Sequence, residues 1–115
     1  MNSNEVAKVM YQTLDDKKAI DIKILDISKI SVLADFMIIT GGSNKNQVQA
    51  LADHVQEELA KQNVHAKHVE GYHSGNWILL DFGDIILHIF NQEDRLFYDL
   101  ERLWQDGAEV SPENL

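Results

Sequence analysis

The segment from residue 36 to residue 59 reads FMIITGGSNKNQVQALADHVQEEL, and it contains the clearest structural signal in the chain. Its first five residues form a continuous apolar run, which is typical of a central strand that is covered on both faces. Gly41-Gly42 ends this run, because adjacent glycines interrupt a strand. The pattern predicts a buried strand in the middle of a sheet.

A helix is predicted directly after the two glycines. Ser43 or Asn44 can accept a hydrogen bond from a free backbone N–H group of the first turn and so cap the helix. Within residues 45–62 the apolar side chains recur at spacings of three and four, as expected of a helix that buries one face. The residues of this apolar stripe are Val48, Leu51, Ala52, Val55 and Leu59.

Outward from this unit, the sequence switches between the periods of helices and strands. Residues 20–27 alternate apolar and polar side chains, which predicts a half-buried strand. Because a strand, a helix and another strand follow one another from residue 36, we expect a right-handed crossover between parallel strands. The remaining predicted elements are helices over 4–16 and 92–104, strands over 67–71, 77–81 and 85–90, and a hairpin turn at Phe82-Gly83-Asp84. This order predicts an α/β fold with a mixed five-stranded sheet flanked by helices.

Length and composition fit a single domain. The chain has 115 residues, and we expect one α/β domain over 1–106 and a polar C-terminal tail over 107–115. Cysteine is absent, which excludes disulfides, thiolate catalysis and cysteine-based zinc sites. The first residues form neither a signal nor a transit pattern, and no apolar run approaches the roughly 20 residues of a membrane-spanning helix. We therefore expect a soluble, cytoplasmic protein.

Negative charge is concentrated in the second half of the chain. The formal net charge is −9, and from residue 70 onwards there are ten acidic residues against Arg95 and Arg102, a balance of −8. Free nucleic acid is a poor partner for such a surface, because phosphate binding relies on clustered Lys and Arg. The carboxylates either keep the surface soluble or form a face for a basic protein.

Gly41-Gly42-Ser43 is the motif that suggests nucleotide chemistry. Backbone N–H groups at a strand end and a helix start can hold a phosphate. Nucleotidyl transfer also needs two or three carboxylates that converge on magnesium ions, whereas the next predicted strand offers Glu70 with no partner two residues away. We favour a tight turn with a helix cap, and a nucleotide-binding or nucleotidyltransferase-type enzyme is the alternative.

Two further motifs have little support as chemical sites. Asp81-Phe82-Gly83 matches the magnesium motif of kinases, but the chain is too short for two kinase lobes. His65 and His68 have a spacing that suits a metal site on a helix, whereas in a strand positions three apart face opposite sides. We therefore predict no metal ligands, no cofactor and no catalytic residues.

Aromatic side chains are mixed with acidic and basic ones late in the chain, and Trp, Tyr and Arg often anchor protein interfaces. Trp77 and Trp104 suit a core as well as a surface. Tyr98 falls outside the apolar stripe of its predicted helix, which favours a surface role. His88 interrupts an apolar strand, so it either satisfies a buried hydrogen bond or lies on an open face of the sheet.

Several segments carry a resemblance to a known family. They include the run from Ala34 to Gly41 and, most specifically, the ordered series Trp77, Leu80-Asp81-Phe82-Gly83-Asp84, His88-Ile89-Phe90, Phe97-Tyr98 and Leu103-Trp104. In this order they resemble the ribosomal silencing factor family, also called RsfS or Iojap-like proteins. The resemblance covers roughly residues 5–106.

The resemblance implies a nucleotidyltransferase-like fold without an established transferase activity. It implies binding to uL-fourteen, a protein on the intersubunit face of the large ribosomal subunit. This binding would block joining of the small subunit and lower translation when nutrients are scarce. Some family members form homodimers, and a role in large-subunit assembly is a further alternative. Organellar members carry a targeting extension, so a chain without one is expected to be bacterial and cytosolic.

The resemblance also gives candidates for contact with the partner. Strand alternation places Asp84, Ile86 and His88 on one face of the sheet and their neighbours Ile85, Leu87 and Ile89 on the other. The seven contact candidates are Trp77, Asp81, Asp84, His88, Phe90, Arg95 and Tyr98.

Overall fold

The computed structural model describes residues 1–92 and 107–115. In these ranges the helices are α1 (Ser3–Asp16) and α2 (Lys45–Ala60). The strands are β1 (Ile20–Asp26), β2 (Phe36–Gly42), β3 (His68–Glu70), β4 (Trp77–Asp81), β5 (Ile85–Asn91) and β6 (Ala108–Glu109). A short 3-10 helix covers Pro112–Asn114. No helix in the described part of the chain is long and apolar enough to cross a membrane.

The six strands form one mixed sheet in the order β3-β4-β5-β2-β1-β6. β2 pairs with β5 in parallel, and all the other neighbours are antiparallel. All seven residues of β2 are buried, which confirms the central strand predicted from its apolar run. β2 and β3 run in the same direction, but β5 and β4 lie between them, so the crossover through α2 skips two strands.

The α/β class is confirmed, and the sheet has six strands where the sequence predicted five. The additional strand is β6, which pairs with the end of β1 and whose neighbour Val110 donates a hydrogen bond to the Ile24 carbonyl at 2.8 Å. Two residues are too short for an alternating pattern, so local sequence gave no sign of β6. The division into a domain over 1–106 and a tail over 107–115 stays a prediction.

The two faces of the sheet have different surroundings. We call the face packed against α1 and α2 the helix-covered face and the opposite one the far face. Ile85, Leu87 and Ile89 pack with the helices, whereas Ile86 and Phe90 belong to the core of the far face, so the predicted alternation along β5 is confirmed. The buried apolar residues of the far face are Leu25, Ile27, Ala34, Met37, Ile39 and Phe90.

Both helices begin at an asparagine cap. The Asn2 side chain accepts a hydrogen bond from the Glu5 N–H at 2.9 Å, and the Glu5 carboxylate accepts one from the Asn2 N–H at 3.3 Å, which completes a capping box. The Asn44 side chain accepts a hydrogen bond from the Gln47 N–H at 2.9 Å and caps α2. These bonds satisfy donors that have no partner within the helix.

The predicted helix over 92–104 falls almost entirely outside the described residues. The same is true of Arg95, Tyr98 and Trp104.

Candidate protein-interaction surface

An aromatic cluster forms where β4 begins and β5 ends. The Trp77 ring stacks on Phe90 with centroids 5.2 Å apart and lies 5.8 Å from the His88 ring. The indole Nε1–H of Trp77 donates a hydrogen bond to His88 Nδ1 at 3.0 Å. Three of the predicted contact residues therefore meet on the far face.

His88 satisfies a buried hydrogen bond, which is one of the two environments expected from its position in the sequence. Only 7% of its surface is exposed. Burial lowers the pKa of His88 from 6.5 to about 4, because a charged imidazolium is poorly solvated inside the protein. At neutral pH the ring is uncharged, and its Nδ1 lone pair is available to hold the Trp77 indole in place.

Asp81 and Asp84 flank the hairpin turn at the opposite end of β4 and β5. The Asp81 carboxylate accepts a hydrogen bond from the Gly83 N–H at 2.8 Å, and Gly83 has a φ of +91°, which suits glycine. Phe82 N–H closes the turn by donating to the Ile85 carbonyl at 2.9 Å. Asp84 is exposed. The Asp81-Phe82-Gly83 motif, which matches the magnesium motif of kinases, therefore forms a turn, as the sequence predicted.

The border of the far face along β3 and β4 is open. Ile78 and Leu80 pack into the helix-covered core, so Trp77, Leu79 and Asp81 point the other way. Leu79 and Asp81 are half-buried, and their neighbours in β3 are exposed. In register, Glu70 pairs with Leu79 and His68 pairs with Asp81. This strip combines an indole, a leucine and carboxylates.

We call Trp77, Leu79, Asp81 and Asp84, with His68 and Glu70 beside them, the acidic strip. The sequence predicted Trp77, Asp81 and Asp84 as contact residues, and Leu79 was not among the predicted residues. The period of two along β4 was the signal that places Leu79 beside Trp77 and Asp81.

The contact candidates fall into three groups. Trp77, Asp81 and Asp84 are at least partly accessible. His88 and Phe90 are buried, with Phe90 at 0% exposure, and both contact the Trp77 ring. Arg95 and Tyr98 lie outside the described residues.

The Gly41-Gly42-Ser43 turn uses its donors within the protein. Ser43 donates from both its N–H and its Oγ to the Gln47 side-chain oxygen, at 2.6 and 2.7 Å. The Gln47 N–H is bound by Asn44. A Cβ atom on Gly42 would lie 2.8 Å from Val48 Cγ2, so this glycine allows close packing of strand and helix. These contacts support the turn with a helix cap.

A polar cavity lies elsewhere, between the C-terminal parts of α1 and α2. Its volume is about 560 Å³, and its lining includes Asp16, Glu57 and Glu58. With three carboxylates against Lys17, and with His54 beside them, the lining is negative on balance, which makes it a poor site for a negatively charged nucleoside triphosphate. Among the described residues, no group of three or more His, Asp or Glu side chains is placed to hold a metal ion.

Known proteins resemble this chain in family, in sequence and in structure. A family model described as "Ribosomal silencing factor during starvation", RsfS, matches residues 1–115. RsfS of Halalkalibacterium halodurans is 36% identical over 115 residues, which cover 100% of this chain and 98% of that protein. The chloroplastic protein Iojap of Arabidopsis thaliana is 32% identical over 107 residues, 92% of this chain and 42% of Iojap. A crystal structure of a Chromobacterium violaceum protein superposes with a TM-score of 0.88 at 39% identity, over 96% of this chain and 92% of the other.

Proposed function

The chain belongs to the family of ribosomal silencing factors, and from this membership we propose that it represses translation by occupying the large ribosomal subunit. Its partner there is uL-fourteen, the protein on the intersubunit face. While bound, it prevents the small subunit from joining, and it acts when nutrients are scarce. The protein works in the cytoplasm and catalyses no reaction.

The observation that carries this proposal is the acidic strip. A half-buried indole and a half-buried leucine between carboxylates suit a partner surface that is basic and partly apolar, because such surfaces combine apolar burial with charge complementarity. The protein as a whole has a net charge of −9, which repels RNA phosphates and directs binding toward a basic ribosomal protein.

Silencing of this kind requires affinity and bulk. The molecule measures 33 × 32 × 25 Å along its principal axes. A body of this size on the intersubunit face keeps two large particles apart without any chemical step. The family description names a silencing factor and no reaction, which agrees with this mechanism.

The test is a charge variant of the acidic strip. Asp81→Asn keeps the oxygen that accepts the Gly83 hydrogen bond, and Asp84→Lys reverses an exposed charge. We expect the double variant to bind purified large subunits about tenfold more weakly, which corresponds to about 1.4 kcal/mol, and to block subunit joining less. Co-sedimentation gives the affinity, and light scattering of mixed subunits follows joining.

A matched control carries the same change in charge at a distant place. Asp15 and Asp16 are exposed at the end of α1, so Asp15→Asn with Asp16→Lys should leave binding unchanged. If both double variants bind like the original protein, the contact lies outside the acidic strip. If the original protein neither binds large subunits nor hinders joining, the proposed function is wrong.

A further inference from the structure

A loop at one end of the sheet exposes a cluster of large apolar side chains. This apolar loop, residues 28–34, joins β1 to β2. Within it Ile30, Val32 and Leu33 are 42%, 102% and 79% exposed. Three of the five large apolar side chains that are exposed in the described ranges lie here. Single exposed apolar residues are ordinary, whereas a cluster marks a contact surface.

The apolar loop is held in shape by its own hydrogen bonds. The Ile27 carbonyl accepts bonds from the N–H groups of Ile30 at 3.0 Å and Ser31 at 2.8 Å. The Leu33 N–H donates to Ser31 Oγ at 3.1 Å. Ile27 and Ala34, at the two ends, are buried in the core of the far face. The tip is therefore fixed in an exposed position, and a fixed tip loses little conformational entropy when it binds.

The apolar loop is joined directly to the acidic strip. The N–H groups of Asp35 and Phe36 both donate to the Asp84 carbonyl, at 2.7 and 3.2 Å. The tip and the carboxylate of the hairpin turn therefore lie at the same end of the sheet. A partner that binds Asp84 lies within reach of Val32 and Leu33.

Carboxylates flank the apolar tip on both sides. In the sequence Asp26 precedes the tip and Asp35 follows it. Asp84 lies next to Asp35 in space, because its carbonyl accepts the Asp35 N–H. Hydrogen bonds from the Ser28 hydroxyl and N–H hold the pKa of Asp26 below its usual range, so this carboxylate is charged at neutral pH. Lys29 is the basic residue within the loop. An apolar tip among acidic groups is complementary to an apolar depression bordered by basic side chains.

We propose that Val32 and Leu33 insert into an apolar depression, bordered by lysine or arginine, on the same basic ribosomal protein surface that the acidic strip binds. This inference rests on the proposed function and adds a second, apolar contact to it. The acidic strip directs the encounter, and the apolar loop slows dissociation, because buried apolar contacts mainly act on the dissociation rate.

The test removes the apolar surface without changing the charge. Val32→Ser with Leu33→Ser should bind large subunits at least about tenfold more weakly and dissociate correspondingly faster. Its melting temperature should not fall, since both side chains are exposed. Val69→Ser is the control, because Val69 is 39% exposed in β3 and lies outside the loop. We expect this control to bind like the original protein.

The outcomes separate this inference from the proposed function. If the original protein binds large subunits and the serine variant binds equally well, the apolar loop is not a contact and the proposed function stands. If the original protein does not bind, both are wrong. Sedimentation equilibrium adds a further outcome: a dimer that becomes a monomer in the serine variant, with unchanged subunit binding, would show that a second copy covers the loop and overturn the inference.

Discussion

The pairing of His88 with Trp77 links the far face to the pH of the solution. His88 is buried and neutral, and its Nδ1 accepts the indole N–H at 3.0 Å. Protonation would place a hydrogen on the atom that serves as the acceptor. Acid therefore both charges a buried ring and breaks the bond that holds Trp77, which is a member of the acidic strip.

The pKa of His88 predicts a loss of stability in acid. In the unfolded chain the pKa returns to 6.5, whereas in the folded protein it is about 4. Below pH 6.5 the unfolded state binds the additional proton, so the free energy of unfolding falls between pH 6.5 and pH 4, by about 3 kcal/mol from this residue. Above pH 6.5 the residue contributes no pH dependence. Urea unfolding at a series of pH values measures the effect.

His88→Gln is the control for this prediction, because glutamine does not titrate. The carboxylates of the protein titrate in both chains, so the difference between the two chains isolates the histidine. The stability of the original protein should fall more steeply than that of the variant as the pH drops from 7 to 4. Parallel curves would show that His88 is not the origin of the acid sensitivity.

At the scale of elements, the junction of β2 and α2 depends on Gly42. A Cβ atom there would approach Val48 Cγ2 to 2.8 Å and the Val48 nitrogen to 3.1 Å. Val48 is fully buried and its valine side chain is stiff, so the start of α2 must move. We expect Gly42→Ala to lower the free energy of unfolding by about 1–3 kcal/mol. Chemical denaturation measures this loss.

A second substitution, Val48→Ala, tests whether the clash with Val48 causes the loss of stability in Gly42→Ala. Val48→Ala removes the Cγ2 atom, so the double variant should be more stable than the sum of the two single losses predicts, by about 1 kcal/mol. Strictly additive losses would contradict the packing explanation. Nucleotide binding that is lost in Gly42→Ala at unchanged stability would instead support the enzymatic alternative.

Local periodicity was enough to predict most of the elements. The alternation in β1, the apolar run of β2 and the stripe of α2 are properties of neighbouring residues, and each predicted its element to within a few positions. The order of the strands was not predicted, because β2 pairs with β5 across more than 40 residues of chain. β6 was missed for the same reason, since its two residues become a strand only by pairing with β1.

The site was predictable to a similar degree. Asp81 and Asp84 were placed correctly at a hairpin turn, because turn chemistry is local. The environment of His88 was left open between two alternatives, since its hydrogen bond depends on Trp77 in the neighbouring strand. The exposure of Val32 and Leu33 followed from no pattern, because apolar residues in a short connection can fold inward as readily as outward.

At the scale of the whole molecule, the net charge of −9 predicts salt-dependent association. Electrostatic attraction acts over a Debye length of about 10 Å at 0.1 M salt and about 3 Å at 1 M. We expect the rate of association with isolated uL-fourteen, the proposed basic partner, to fall about tenfold between roughly 0.05 and 0.5 M monovalent salt, with little change in the dissociation rate. Stopped-flow mixing at constant magnesium measures both rates.

The charge variant Asp81→Asn with Asp84→Lys should depend less on salt than the original protein, because it has less attraction to lose. The serine variant of the apolar loop should keep the original salt dependence. An association rate that is independent of salt in the original protein would contradict electrostatic steering.

The parallel pairing of β2 with β5 also has a consequence for synthesis. Residues 36–42 have their neighbours at 85–91, so the middle of the sheet is incomplete while the first 84 residues are being made. In a nascent chain of that length, the mostly apolar residues 36–42 have one strand edge unpaired, and the entropy of closing so long a loop delays folding further. A growing chain therefore cannot complete its sheet until residues 85–91 have been made.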